Sequence, residues 1–213
     1  LALSDLILAP ATPSNTARVG GVIMPITTSL AKAFGSEPQD GPRKIGSFLM
    51  QSIYQVNTIT SAMFQTSMAG NTLVAALALQ SFGIGITWGD WAMAAIVPGI
   101  IALLIMPYFI YKVYPPEIRD AREAQQMIRE ELKGLGKMSF QEWVMLGVFI
   151  LALVLWATSQ FTKLDATTVA FLGISILLAT GVLIWDDVKS EKGAWDTLVW
   201  MGTLMGFAGF LSK

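Results

Sequence analysis

Neither cysteine nor histidine occurs anywhere in the 213-residue chain, and only 14% of its residues are charged. Without cysteine there is no disulfide framework, no thiolate metal site and no redox chemistry. Without histidine the commonest metal ligand and general base are missing as well. A protease, a histidine-based hydrolase and a haem protein are therefore disfavoured, and the reading is of a non-enzyme. The net charge of −1 carries no information about partners. No signal peptide is visible. Because the chain begins at Leu1 and ends at Lys213 straight after an apolar stretch, the expectation is a segment from the middle of a longer protein.

Apolar runs are abundant. Over half the residues are hydrophobic and the mean hydropathy is +0.57. Residues 92–111, 143–162 and 166–185 carry no charge, and each is long enough to cross roughly 30 Å of hydrocarbon at about 1.5 Å per helical residue. Trp91, Trp143, Trp185 and Tyr111 or Tyr114 stand at their ends, where interfacial aromatic belts are found. The fold class that follows is all-α and polytopic, in the membrane.

Against this background Pro13-Ser14-Asn15-Thr16-Ala17-Arg18, followed by Gly20-Gly21, is out of place. Polar side chains and broken backbone at membrane depth are tolerated only where protein or a water-filled cavity satisfies them. Residues 1–34 read as a re-entrant hairpin with the Ser-Asn-Thr sequence at its tip, its second arm interrupted by Pro25. Residues 43–82 read as a broken transmembrane helix, with a polar interruption over 57–71 containing Asn57, Thr60, Ser61, Gln65, Thr66, Ser67 and Asn71. Taken singly, most of these residues fit an ordinary helix whose hydroxyls bond back to their own carbonyls. Taken together they match the paired broken elements of a transporter site.

The remaining organisation is a transmembrane helix over 91–114, a linker over 115–140, two transmembrane helices over 142–185 and the start of another over 194–213. The linker shows Ile118, Ala121, Ile128, Leu132 and Leu135 on one stripe, which fits an amphipathic connecting helix on the membrane surface. Gly202 and Gly206 form a weak small-residue pair. Lys and Arg cluster after the hairpin, in the linker and after Trp185, while the 83–90 turn has none and 161–165 only Lys163. By the positive-inside rule the basic loops are cytoplasmic, so the hairpin enters from that side.

A helix broken within the membrane offers free N–H groups to anions and free carbonyls to cations. Ser14, Asn15 and Thr16 can bind a carboxylate without a fixed countercharge, and Ser14 and Asn15 are candidates to touch a cation. Arg18 could pair a substrate carboxylate, but a structural role ranks ahead of that. Asp5 is either a cation ligand or the partner of Arg18.

These residues resemble the divalent anion:sodium symporter family, nearest its citrate-carrier and 2-oxoglutarate/malate-translocator branch. The resemblance lies in Ala9 to Arg18 with Gly20-Gly21 and Pro25, in Thr60 to Phe64, in Met68 to Asn71, in Tyr114 to Ile118 and in Trp195 to Val199. It implies an elevator-type carrier of inverted repeats, dimeric in the full-length protein, in a bacterial inner membrane or a plastid envelope. It further implies that Ser14, Asn15 and Thr16, with Thr60 and Ser61, contact a di- or tricarboxylate, and that sodium is a possible coupling ion. A second Ser-Asn-Thr is absent from the chain. Pro10 stands where a further serine is expected of sodium-coupled members, which leaves exchange open beside symport. Small carboxylates and lipid are the expected partners, and nucleic acid is not. A carrier for another divalent oxyanion such as sulfate, or a non-transporting scaffold, are the alternatives.

Overall fold

The computed structural model describes residues 1–118 and 136–211, and within these the chain is helical throughout. The first arm is α1 (Ala2–Leu8), tightened into a 3-10 turn at Ala9–Ala11. The second arm begins as α2 (Asn15–Arg18), widens into a π turn at Val19–Ile23 and continues as α3 (Met24–Ala33). The prolines and polar side chains from Pro10 to Arg18 suggest a break over that whole stretch, and the break between the arms is shorter. Only 12–14 leave the helix, with Thr12 and Ser14 extended (φ −119° and −138°). The cause is local: Pro13 pushes the residue before it out of the helical region, and Ser14 then caps the new helix, accepting from Ala17 N at 3.2 Å.

Pro25 does not interrupt the second arm. It lacks the N–H that would bond the Gly21 carbonyl, and the π turn immediately upstream is where the ladder widens around that gap. The arm therefore runs helically from Asn15 to Ala33.

The broken helix consists of α4 (Gly46–Met63) and α5 (Ala69–Phe82). Between them Phe64 and Met68 are extended and flank a single 3-10 turn, Gln65–Ser67. The interruption is again narrower than the polar composition suggests, because Asn57, Thr60 and Ser61 sit on regular helix. Next comes α6 (Trp88–Val113), started by a Thr87–Asp90 capping box. It packs along α4 closely enough that a Cβ on Gly99 would lie 2.6 Å from Met63 Cγ.

Beyond the linker lie α7 (Phe140–Ala157), α8 (Ser159–Thr162), α9 (Ala166–Ala179), α10 (Trp185–Ser190) and α11 (Lys192–Leu211). The apolar run over 166–185 is not one helix. It stops at a Schellman turn, in which Gly181 (φ +71°) donates to Leu178 O and Val182 to Leu177 O. Most of the expected amphipathic linker helix, residues 119–135, lies outside the described residues. Its entry is held, since Glu117 N and Ile118 N donate to the Arg43 and Lys44 carbonyls. Two of the basic loops thus meet at one end of the molecule.

Among the described residues, α6 and α7 are long and apolar enough to cross a membrane, and both are largely exposed along their lengths. Packing between the first six helices and α7–α9 centres on Trp88, Ala152, Trp156 and Val169, with Ala11 of the hairpin against them. Phe64, Trp88 and Trp156 stack in series, with centroids 5.7 and 6.3 Å apart.

Candidate functional site

The hairpin tip and the α4–α5 break are brought together by one side chain. Arg18 is fully buried, and all five of its N–H groups find oxygen. Nε donates to Asp5 Oδ1 at 2.9 Å. Nη1 donates to the carbonyls of Thr12 at 3.0 Å and Ser67 at 3.3 Å. Nη2 donates to the Thr60 hydroxyl at 3.3 Å and the Ser61 hydroxyl at 2.9 Å. Thr60 in turn donates to the other Asp5 oxygen. One guanidinium therefore ties the first arm, both breaks and the end of α4. The Asp5–Arg18 pair is sealed from solvent and electrically neutral.

The ends of the broken helix are also satisfied from within. A helix leaves its last carbonyls without partners. Here Asn71 Nδ2 donates to Ser61 O at 2.7 Å and to Phe64 O at 2.9 Å. Ser67 Oγ lies within 2.7 Å of the same two carbonyls, and Trp91 Nε1 donates to Ala62 O at 3.0 Å. A chain of bonds then crosses to the hairpin: Trp88 Nε1 donates to Thr66 Oγ1 at 3.0 Å, and that hydroxyl donates to Pro10 O. These bonds fix the backbone of both breaks against each other.

The expected site residues divide into two groups. Thr60 and Ser61 are buried against Arg18, with their oxygens already bonded. Ser14 is half-buried and acts as a helix cap through its oxygen. Asn15 is half-buried and Thr16 exposed, and neither side chain hydrogen-bonds within the described residues. The tip thus presents an amide and a hydroxyl over the N-terminus of the second arm, where backbone N–H groups point outward. Arg18, by contrast, has no N–H left for a ligand. No group of three or more acidic ligands that could hold a metal is found among the described residues. Beside the Arg18-paired carboxylate of Asp5, the oxygens around the two breaks are neutral carbonyls and hydroxyls.

Sequence reasoning placed Asp5 beside Arg18 as one of two options. Ser67 and Asn71 stood in the 57–71 polar interruption without a role of their own, and Trp88 was not named. The work of all three is to hold the break, Ser67 and Asn71 on its carbonyls and Trp88 on Thr66. The signal available for them was proximity to that break.

Against known proteins, the chain matches, over residues 1–213, the family described as "Sodium:sulfate symporter transmembrane region". It is 51% identical to a putative malate transporter, YflS, of Bacillus subtilis (strain 168), over all of this chain and 45% of that protein. It is 47% identical to the inner membrane protein YbhI of Escherichia coli (strain K12), over 98% of this chain and 44% of that protein. It is 43% identical to the chloroplastic dicarboxylate transporter 1 of Spinacia oleracea, over all of this chain and 38% of that protein. The chain spans less than half the length of each of these curated relatives.

Proposed function

Because the chain belongs to the sodium:sulfate symporter family, a family of membrane transporters and not of enzymes, we propose that it forms the hairpin-bearing half of a carrier for small dicarboxylates. Malate is the first candidate, since two of the relatives carry malate or dicarboxylate in their names. The observation that supports this reading most is the tip itself. Asn15 and Thr16 keep free hydrogen-bonding groups beside outward-pointing N–H groups, while Thr60, Ser61, Ser67 and Asn71 are internally bonded. Of the buried side chains around the α4–α5 break, the Asn57 amide nitrogen has no partner among the described residues. Neutral donors hold a carboxylate loosely enough to release it, which transport requires. In this reading Ser14, Asn15 and Thr16 touch the substrate, and Thr60 and Ser61 act through Arg18 as positioning residues.

The same geometry bears on coupling. The Thr12 and Ser67 carbonyls, the Thr60 and Ser61 hydroxyls and the Asp5 carboxylate form the kind of oxygen cage that would suit a sodium ion. Here a tethered guanidinium takes those oxygens. This supports exchange of one dicarboxylate for another over sodium symport through this half of the site. Assembly as a homodimer in the full-length protein, implied by the resemblance, belongs to the same proposal.

The test is exchange of labelled malate by the full-length protein in proteoliposomes, with sodium or choline outside and sulfate as competitor. The reading expects malate exchange of equal rate in both salts and little inhibition by sulfate. Steep sodium dependence would remove the exchange reading, and strong competition by sulfate would favour the oxyanion alternative.

A further inference from the structure

A cavity opens at the start of α6, the opposite end from the one that meets the Arg43 and Lys44 carbonyls. It lies where Gln65 of the break, α5, the turn before α6 and the turn between α8 and α9 come together. Its volume of about 430 Å³ falls within the range of small-molecule sites, about 300–1,000 Å³. Much of the wall is apolar, with Ala75, Ala76 and Leu79 from α5 and Leu164 from the turn before α9. A fitting occupant therefore has carbon to bury.

Along one edge runs a polar strip. Gln65 is 8% exposed and donates one N–H to Ile86 O at 3.4 Å, a long bond. Its second N–H and its amide oxygen bond nothing among the described residues. Buried amide groups in native folds are nearly always paired, and this one forms part of the cavity wall. Next to Ile86, Thr87 donates to Asp90, and Asp90 accepts from Gln160 Nε2 at 2.8 Å. Gln160 keeps its second N–H, Lys163 follows three residues later, and both line the cavity.

Charge selects the ligand. Lys163 is exposed and forms no ion pair among the described residues. Two acids lie close, and both are committed to helix starts. Asp165 caps α9 through Thr167 N, Thr168 N and the Thr168 hydroxyl, and Asp90 sits in the capping box of α6 with Thr87. A carboxylate at a helix N-terminus is balanced by the dipole there, which leaves the ammonium to answer an incoming charge. One cation suits one carboxylate. A second carboxylate would be buried against α5 or set beside Asp165, and both placements are costly.

We infer that this cavity binds a monocarboxylate with a small apolar body, such as a short-chain or aromatic acid. Lys163 pairs the carboxylate, the unused N–H groups of Gln65 and Gln160 donate to it, and the carbon body lies against α5. The site is separate from the hairpin tip, none of whose residues lines it. Its occupancy is a matter of binding alone and holds whether or not the protein carries malate.

Equilibrium dialysis of labelled benzoate against the purified full-length protein, with and without malate, is the test. The expected result is saturable binding of one benzoate per chain, not displaced by malate. Lys163→Asn should weaken it about tenfold or more, while Lys163→Arg keeps it. Lys163 has a left-handed backbone (φ +58°), which asparagine adopts readily, so the thermal midpoint of Lys163→Asn should match the wild type. Ala76→Phe, at an exposed position of α5 on the cavity wall, should abolish binding by filling the space. Binding that does not saturate, or that is unchanged in either Lys163→Asn or Ala76→Phe, would overturn the site. Displacement by malate would place benzoate at the tip and overturn it as well. Malate exchange is not a readout here, so its failure would sink the carrier reading and leave this site standing.

Discussion

Asp5 and Arg18 lie on opposite arms of a helical hairpin and meet at 2.9 Å, with both side chains sealed from solvent. The pair converts a polar break among apolar helices into a rigid element. Its removal should therefore be felt as loss of structure before loss of recognition.

Replacing either partner leaves the other charged, buried and unpaired, a change that typically costs about 3–5 kcal/mol. Asp5→Asn should lower the thermal midpoint of the purified full-length protein sharply. Arg18→Lys keeps the charge but brings three donors to a cage of five oxygens, so it should rescue little. A lysine variant as stable as the wild type would show that the five bonds do not act as a unit.

The contact of α4 with α6 makes a second prediction, independent of the site. A methyl group on Gly99 would collide with the Met63 side chain, and overpacking of this kind costs about 1–3 kcal/mol. Gly99→Ala should destabilise, and Met63→Ala in the same protein should recover part of the loss. Additive losses in the double-mutant cycle would contradict the packing described here.

At the start of α9, Asp165 accepts from the Thr168 hydroxyl and from the Thr167 and Thr168 amides. The Thr168 hydroxyl, followed by its backbone N–H, holds this carboxyl below the usual aspartate range. A depressed folded-state value means stabilisation that is present above the ordinary aspartate pKa, about 3.9, and lost as pH falls through the folded value. Asp165→Ala should cost about 1 kcal/mol near neutrality, and the gap from wild type should close in strong acid. A gap independent of pH would show that the cap acts through shape alone.

How far the sequence foretold this structure depends on the kind of polarity involved. The break before Ser14 was legible, because Pro13 and a capping serine act on their own neighbours. The limits of the second break were not. Thr60 and Ser61 are polar in order to meet Arg18, and the helix that carries them and Asn57 is regular. The backbone departs only at Phe64 and Met68, two apolar residues that carry no local signal. Pro25 misled in the opposite sense, since a π turn absorbs a proline that composition alone would score as a break. The Schellman turn at Gly181 divided what looked like a single span, through one glycine in a run rich in leucine. For the site, the tip residues stood out by residue type. That Thr60 and Ser61 would be taken up by Arg18 could not be read from spacing, because their separations of 42 and 43 residues from Arg18 are set by the fold.

The central claim is a division of labour, with Asn15 on the substrate and Thr60 on the scaffold. Labelled malate exchange and thermal midpoint, measured together on Asn15→Ala and Thr60→Val in the full-length protein, test it most directly. The account predicts that Asn15→Ala abolishes exchange with its midpoint unchanged, while Thr60→Val lowers the midpoint. Wild-type exchange by Asn15→Ala would contradict it.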